Sequence, residues 1–271
     1  MSNMPGRKDP IQRSVFSIQH FFPPFPRVRQ AEWMDAPDAD PGELRRSLAF
    51  IQRINRFLGY NRATLGHLKR FSRRWGPSQK VRILDVATGS ADFPLEILRW
   101  VDRVNRKRGW QWDVRVVGID LHSETLAAAR QEIQKSGNES GRPRIALVQA
   151  DALALPFPDQ SFDYAITSMF LHHLSDDDVV RVIAGMNRVV QRGIVVADLL
   201  RHRRAYAWIS LLTLFSNSMV RHDARVSVRQ AFTKAEVLRM RGRAGVRFAA
   251  YHRHFGHRFV IAGERGEKMT G

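Results

Sequence analysis

Apolar positions along this chain alternate between two spacings. Val81–Val86, Val114–Asp120, Ile145–Ala150, Phe162–Ser168 and Gly193–Leu199 are short apolar runs bounded by turn residues, which read as buried strands. Helical spacing lies between them. Asp92 to about Val104 reads as one helix, and Ser123 caps another that runs through Ile133. Ser175-Asp176-Asp177-Asp178 opens a third, with Val179, Val182, Ile183 and Met186 on one face. Strands alternating with helices predict parallel strands joined by right-handed crossovers.

The two ends break this rhythm. Residues 1–40 carry six prolines without a sustained period and read as a tail, in which Phe21, Phe22 and Phe25 are expected to pack on something. Asp40-Pro41-Gly42-Glu43 starts a helix with Leu44, Leu48, Ile51, Ile54 and Leu58 on one face, and Gly59 is its expected stop. A second helix carries Leu65, Leu68, Phe71 and Trp75 and ends at Gly76-Pro77. Residues 41–78 thus form a helical leader before an α/β domain over 79–271. Within that domain, 201–231 is an apolar, helix-like insertion. Thr233 and Glu236 form a capping box for a helix to about Ala244. Val246–His252 and Arg258–Gly263 then read as a hairpin turning at Phe255-Gly256-His257. The predicted fold is a doubly wound, mostly parallel seven-stranded sheet closed by an antiparallel hairpin.

Composition narrows the chemistry. With 271 residues and 44% hydrophobic content the chain can build a sizeable core. It has no cysteine, which removes disulfides, thiolate metal sites and cysteine nucleophiles. The net charge of +18 comes mostly from arginines scattered along the sequence. Such scatter reads first as surface composition, leaving a peripheral contact with an acidic membrane surface open and nucleic acid not expected. No apolar run has the length of a membrane span, and the N-terminus shows no secretory pattern, so a cytoplasmic location is expected.

Candidate chemistry gathers at the carboxyl ends of the predicted strands, where open α/β sheets bind ligands. The first strand runs into Asp85-Val86-Ala87-Thr88-Gly89-Ser90-Ala91-Asp92, a small-residue turn that lets backbone approach a ligand. Its glycine pattern is incomplete, which argues against a nicotinamide dinucleotide enzyme. The second strand ends at Asp120, followed by Leu121; an acid there can accept hydrogen bonds from ribose hydroxyls. The third ends at Asp151-Ala152, where a carboxylate can accept from an adenine amino group. The fourth ends at Ser168-Met169 and leads into Phe170-Leu171-His172-His173.

These motifs resemble class I S-adenosylmethionine (SAM)-dependent methyltransferases, strongly over about residues 80–200. Leu84–Asp92 resembles that family's first motif, in the alanine variant of the ubiquinone and menaquinone C-methyltransferases, and Leu155–Asp163 resembles the Leu-Pro-Phe stretch of the same relatives. The region after Asp198-Leu199 is loosely similar to methyltransferases of polyketide and phenolic-lipid tailoring. The resemblance implies SAM as cofactor, with Asp85 and the turn Ala87, Thr88 and Gly89 near its methionine part. It also implies ribose at Asp120 and Leu121, adenine at Asp151 and Ala152, and methionine beside Ser168 and Met169. Ala91 departs from the usual glycine, and its methyl is expected to crowd the cofactor.

Methyl transfer from a sulfonium needs mainly alignment of the acceptor. A hydroxyl acceptor also needs a base, for which His172, His173 and His222 are the candidates. No His, Asp or Glu spacing resembles a metal site, so no metal is expected. The leading expectation is a methyltransferase acting on a small aromatic, quinone-like or lipid-like acceptor. An RNA or protein methyltransferase, and a non-catalytic SAM-fold binding protein, are the alternatives. The insertion, with Trp208, Leu211, Leu212 and Phe215 on one helical face, is expected to be either a core helix or a lid over the acceptor.

Overall fold

The computed structural model describes residues 25–35, 40, 42–43, 46–47, 50, 59–137 and 143–266. The leader positions Leu44, Leu48, Ile51, Ile54 and Leu58 lie outside the described residues, as do Phe21 and Phe22. The predicted start of that leader is visible in one bond, from the Glu43 amide to Asp40 Oδ1.

Seven strands form one sheet: β1 (Lys80–Val86), β2 (Asp113–Asp120), β3 (Ile145–Gln149), β4 (Phe162–Ser168), β5 (Val190–Leu199), β6 (Ala250–His254) and β7 (Arg258–Glu264). Their order is β3-β2-β1-β4-β5-β7-β6. The first five are parallel, and β7 runs antiparallel to both neighbours. Helix α1 (Tyr60–Phe71) precedes the sheet; α2 (Asp92–Arg108), α3 (Ser123–Lys135) and α4 (Asp176–Val189) are crossovers. The insertion forms α5 (Arg203–Leu212) and α6 (Ser218–Gln230), followed by α7 (Lys234–Arg243).

Period-two alternation explains why the sheet carries a core on each side. Ile83, Tyr164, Ile166 and Val195 bury on one face, against α1 and α2. Leu84, Ala165, Ile194 and Val196 bury on the other, against α4 and α7. On the first face Trp75 meets Trp100, Trp112 and Tyr164 in one aromatic cluster. Helix α2 ends at Gly109, whose φ of 65° closes it, and its last turn holds three cations where the helix dipole favours them.

Two local expectations need correction. Ser123 is the first helical residue of α3 and not its cap: His122 holds the cap position and makes no side-chain cap bond. The first strand of the hairpin begins at Ala250, not Val246, because Val246–Ala249 forms a turn with Ala249 donating to the Val246 carbonyl. Val246 and Ala249 are apolar because they are buried beneath α7, not because they pair in the sheet.

Residues 25–35 fold back over the carboxyl edge of the sheet as a strap. Arg27 donates to Asp176 and to the carbonyls of His172 and Leu174, and its guanidinium covers Phe232. Asp223 of α6 accepts from the amides of Trp33 and Met34, and Phe25 packs edge-on against Tyr206. Among the described residues no helix is long and apolar enough to cross a membrane.

Candidate active site

The turn after β1 is shaped by backbone geometry. Ala87, Gly89 and Ala91 all have positive φ, at 58°, 56° and 61°. The Thr88 amide donates to the Ile119 carbonyl at 2.8 Å, tying the turn to β2. Thr88 sits over Gly118: a side chain there would meet Thr88 Oγ1 at 2.7 Å, so glycine is required for the approach. A Cβ built on Gly89 meets nothing within 4 Å, so the middle of the turn faces open space. Ala91, by contrast, is fully buried. Its methyl is enclosed by protein, and the departure from glycine is felt as left-handed backbone strain, on the order of 1 kcal/mol.

Asp120 joins this turn from the neighbouring strand. Its Oδ2 accepts from the Gly89 amide at 3.1 Å and its Oδ1 from the His122 amide at 3.2 Å. A carboxylate has about four lone-pair sites, so both oxygens keep capacity for ribose hydroxyls. Asp85 lies beneath the turn, accepting from Thr88 Oγ1 at 2.7 Å. Burial pushes its carboxyl up to about 7; the Thr88 bond opposes that rise and the charge of Asp120 adds to it. The Ala150 amide donates to the Asp120 carbonyl, which draws the end of β3 alongside. There Asp151 is exposed and accepts from the Leu153 amide, Ala152 packs against the core, and Leu121 is exposed. Ser168 is half-buried at the end of β4, and Met169, with φ 59°, donates its amide to the Ala197 carbonyl. The cofactor candidates therefore converge on one edge of the sheet.

The three histidines separate into two places. His172 and His173 lie together on a single 3-10 turn after β4, with ring centroids 4.2 Å apart. His172 is buried, with Nδ1 at 2.7 Å from Asp198 Oδ1, and its amide donates to Asp198 Oδ2. Burial disfavours its protonation, but the charge and hydrogen bond of Asp198, with Glu32, outweigh that and raise its pKa. Burial next to His172 pushes His173 down to about 3. His222 lies on α6, pairs with Asp223 at 2.8 Å and stacks on Trp33 with centroids 4.0 Å apart. It opens on a cavity of about 380 Å³ with Trp33, Tyr206 and Arg225, whereas His173 opens on one of about 310 Å³ with Glu32 and Gln230.

Sequence reasoning missed Arg27, Glu32 and the pairing role of Asp198. Glu32 is buried in the strap, 3.9 Å from His172 Nε2, and accepts from Ser227. Its signal was the single glutamate of residues 1–40. That of Asp198 was a carboxylate within the apolar run Val195–Leu200. The absence of metal-like spacing in the sequence did not anticipate that Glu32, His172 and His173 would meet.

Helix α5 presents an apolar surface outward. Trp208 is 43% exposed, Leu211 61% and Phe215, just beyond the helix, 97%. Among the described residues, its other side, with Ala205, Ile209 and Leu212, packs on Leu199 and Val228.

Comparison with known proteins agrees with this geometry. Residues 83–193 match the family described as "Methyltransferase domain". A demethylmenaquinone methyltransferase of Roseiflexus castenholzii is 34% identical over 118 residues, covering 44% of this chain and 42% of that protein. A 2-phytyl-1,4-naphthoquinone methyltransferase of Nostoc punctiforme is 31% identical over 138 residues, covering 51% and 54%. The chain spans about half the length of these curated relatives. Among solved structures, an S-adenosylmethionine-dependent methyltransferase (so titled, as a candidate) from Methanococcus maripaludis superposes with a TM-score of 0.55 at 13% identity, covering 82% of this chain and 94% of that one. Magnesium protoporphyrin IX methyltransferase from Synechocystis, solved with bound S-adenosylhomocysteine, gives 0.52 at 13% identity, covering 80% and 87%. These two show the shared fold. Residues 83–193 thus match a methyltransferase domain, set in the fold that the chain shares with solved SAM-dependent methyltransferases.

Proposed function

We propose that this protein transfers the methyl group of SAM to a small aromatic, quinone-like acceptor. The observation that carries the cofactor half is the bond from the Gly89 amide to Asp120, which joins an open turn to an acid with capacity left for ribose hydroxyls at adjacent strand tips. The relatives' names, demethylmenaquinone and 2-phytyl-1,4-naphthoquinone methyltransferase, support the acceptor half. So does the exposed apolar side of α5, which follows directly from the tip of β5.

SAM supplies an electrophilic methyl group on a sulfonium. Asp120 would hold the ribose, Asp151 and Ala152 the adenine, and the Ala87–Gly89 turn with Ser168 and Met169 the methionine part. The protein's task is then to align an acceptor atom with that methyl group and exclude water. The histidines favour an acceptor that asks little of a base. His173, pushed down to about 3, is a poor proton acceptor at neutral pH. His172 turns Nδ1 to Asp198 and lies with Nε2 near Glu32, and His222 opens on a different cavity. A ring carbon beside a phenolate meets that condition, because the ring itself supplies the electrons.

The test is transfer of isotope label from SAM to a short-chain naphthohydroquinone, run beside lipid, polar, RNA and protein fractions of an extract. Label in the quinol or lipid fraction supports the reading. Label confined to RNA or protein overturns the acceptor assignment, and SAM binding without label in any fraction supports a binding protein instead.

A further inference from the structure

We propose that Glu32, His172 and His173 form a three-ligand site for a divalent transition-metal ion, open to the cavity beside His173. One ligand atom from each residue lies within 4.8 Å of the other two. Glu32 Oε1 and His172 Nε2 are 3.9 Å apart. With metal bonds of about 2.0–2.2 Å at near-tetrahedral angles, ligand atoms sit roughly 3.3–3.6 Å apart, so this pair would close by a few tenths of an ångström on binding. The other pairs lie within 4.8 Å, and side-chain rotations would have to bring them into bonding range.

The surroundings match those of a ligating imidazole. Such a histidine usually gives its second ring N–H to a carboxylate, which fixes the tautomer and turns the other nitrogen to the metal. His172 does this through Nδ1 to Asp198, 2.7 Å away, and Asp198 is itself anchored by the amides of His172 and Leu199. Charge points the same way. Glu32 and Asp198 are two buried carboxylates, 5% and 1% exposed. Arg27 donates to Asp176 and to three carbonyls, and Arg29 lines the same cavity as Glu32 and His173. Buried negative charge is costly without compensation. A dication would add to the compensation that neighbouring groups already give; a proton on His172 is the competing occupant. Two imidazoles and a carboxylate suit zinc, iron, cobalt or nickel better than magnesium or calcium.

Glu32 comes from the strap and the histidines from the tip of β4, so an ion here would fasten the strap over the sheet edge. A remaining coordination position faces the cavity of about 310 Å³ lined by Glu32, His173 and Gln230. On the reading of a quinone-like acceptor, and only on it, that position would take an acceptor oxygen.

The experiment uses the full chain, stripped with chelator and without SAM or acceptor. It is titrated with Zn²⁺ by calorimetry and with Co²⁺ by visible absorption. The expected result is one ion per chain, with release of protons and a Co²⁺ band of low coordination number. Glu32→Gln and His173→Gln should each weaken binding at least tenfold, and Asp198→Asn by about 10- to 100-fold. His67→Gln removes a second close histidine pair, with His254 at 3.0 Å, and should leave binding unchanged. Uptake below one ion per chain, wild-type affinity in Glu32→Gln and His173→Gln, or loss of binding in His67→Gln overturns the proposal. Circular dichroism checks each variant's fold; if Asp198→Asn does not fold, the other variants still decide. Because binding is read without methyl transfer, failure of the acceptor assignment and failure of the metal site are seen separately.

Discussion

Asp120 Oδ2 lies 3.1 Å from the amide nitrogen of Gly89, so the acid of the second strand tip and the turn of the first hold one another in place. Asp120→Ala removes the proposed ribose acceptor and releases the Gly89 and His122 amides together. Losing such charged hydrogen bonds should cost roughly 1–3 kcal/mol of SAM affinity. Calorimetry on the folded variant checks it, and unchanged affinity would count against the assignment of Asp120.

The buried carboxyl of Asp85 predicts a pH dependence of stability. Its pKa is raised from an ordinary 3.8 to about 7, chiefly by burial. Between those values the folded protein holds a proton that the unfolded chain has released. Stability should therefore fall as pH rises through this window, with a slope approaching about 1.4 kcal/mol per pH unit from this group alone. Below the window both states are protonated, and above it both are ionised, so the contribution is flat. Asp85→Asn should remove this component, and its advantage over wild type should be greater at pH 8 than at pH 4. Denaturant midpoints across that range check it, and parallel curves for the two proteins would refute it.

A polar chain threads the aromatic face of the core. Trp75 Nε1 donates to the Tyr164 hydroxyl at 3.0 Å, and that hydroxyl donates to Glu264 Oε1 at 2.6 Å. Burial and the Glu264 bond both push the Tyr164 pKa far upward, so the hydroxyl stays protonated and donates at all working pH. Tyr164→Phe keeps the ring but strands the indole N–H and loses a bond to the carboxylate. The expected loss is about 1–3 kcal/mol of stability, read from chemical denaturation. A neutral result would mean that water replaces the hydroxyl.

What the sequence made legible, and what it did not, divides by range. The bounds of β4, Phe162–Ser168, follow from an apolar run between turns, and Ser175 caps α4 by accepting from the Asp178 amide as the motif predicts. The Thr233–Glu236 capping box is present in full. Each is a pattern within a few residues, where local propensity and tertiary packing agree. The convergence of the candidate cofactor acids at one sheet edge was readable for a similar reason: strand ends are visible, and parallel strands place their ends together. Val246–Ala249 misled because burial beneath a helix and burial in a strand look alike in a short apolar run. Arg27, Glu32 and Asp198 could not be assembled from spacing. Arg27 meets Asp176 149 residues away, and Glu32 meets Ser227 195 residues away. Only the path of the strap creates those contacts.

The exposed side of α5 bears on the choice between a core helix and a lid. A core helix would bury Trp208, Leu211 and Phe215, yet these are 43%, 61% and 97% exposed. Their removal should therefore cost little stability, within about 0.5 kcal/mol for surface positions. The helix begins at Arg203, four residues after β5 ends at Leu199, so it stands over the sheet edge that carries the cofactor candidates. Its inner side is held by Leu199 and Val228, which fixes the helix while leaving its outer side to meet an acceptor or the surface that delivers one. Trp208→Ala and Phe215→Ala should then lower acceptor turnover or raise the acceptor KM. SAM affinity should stay within about threefold, or about 0.7 kcal/mol. Steady-state kinetics with the acceptor, set beside calorimetry with SAM, reads both quantities on the same preparations. Joint loss of SAM binding and turnover, or unfolding of either variant, would place this segment in the core after all.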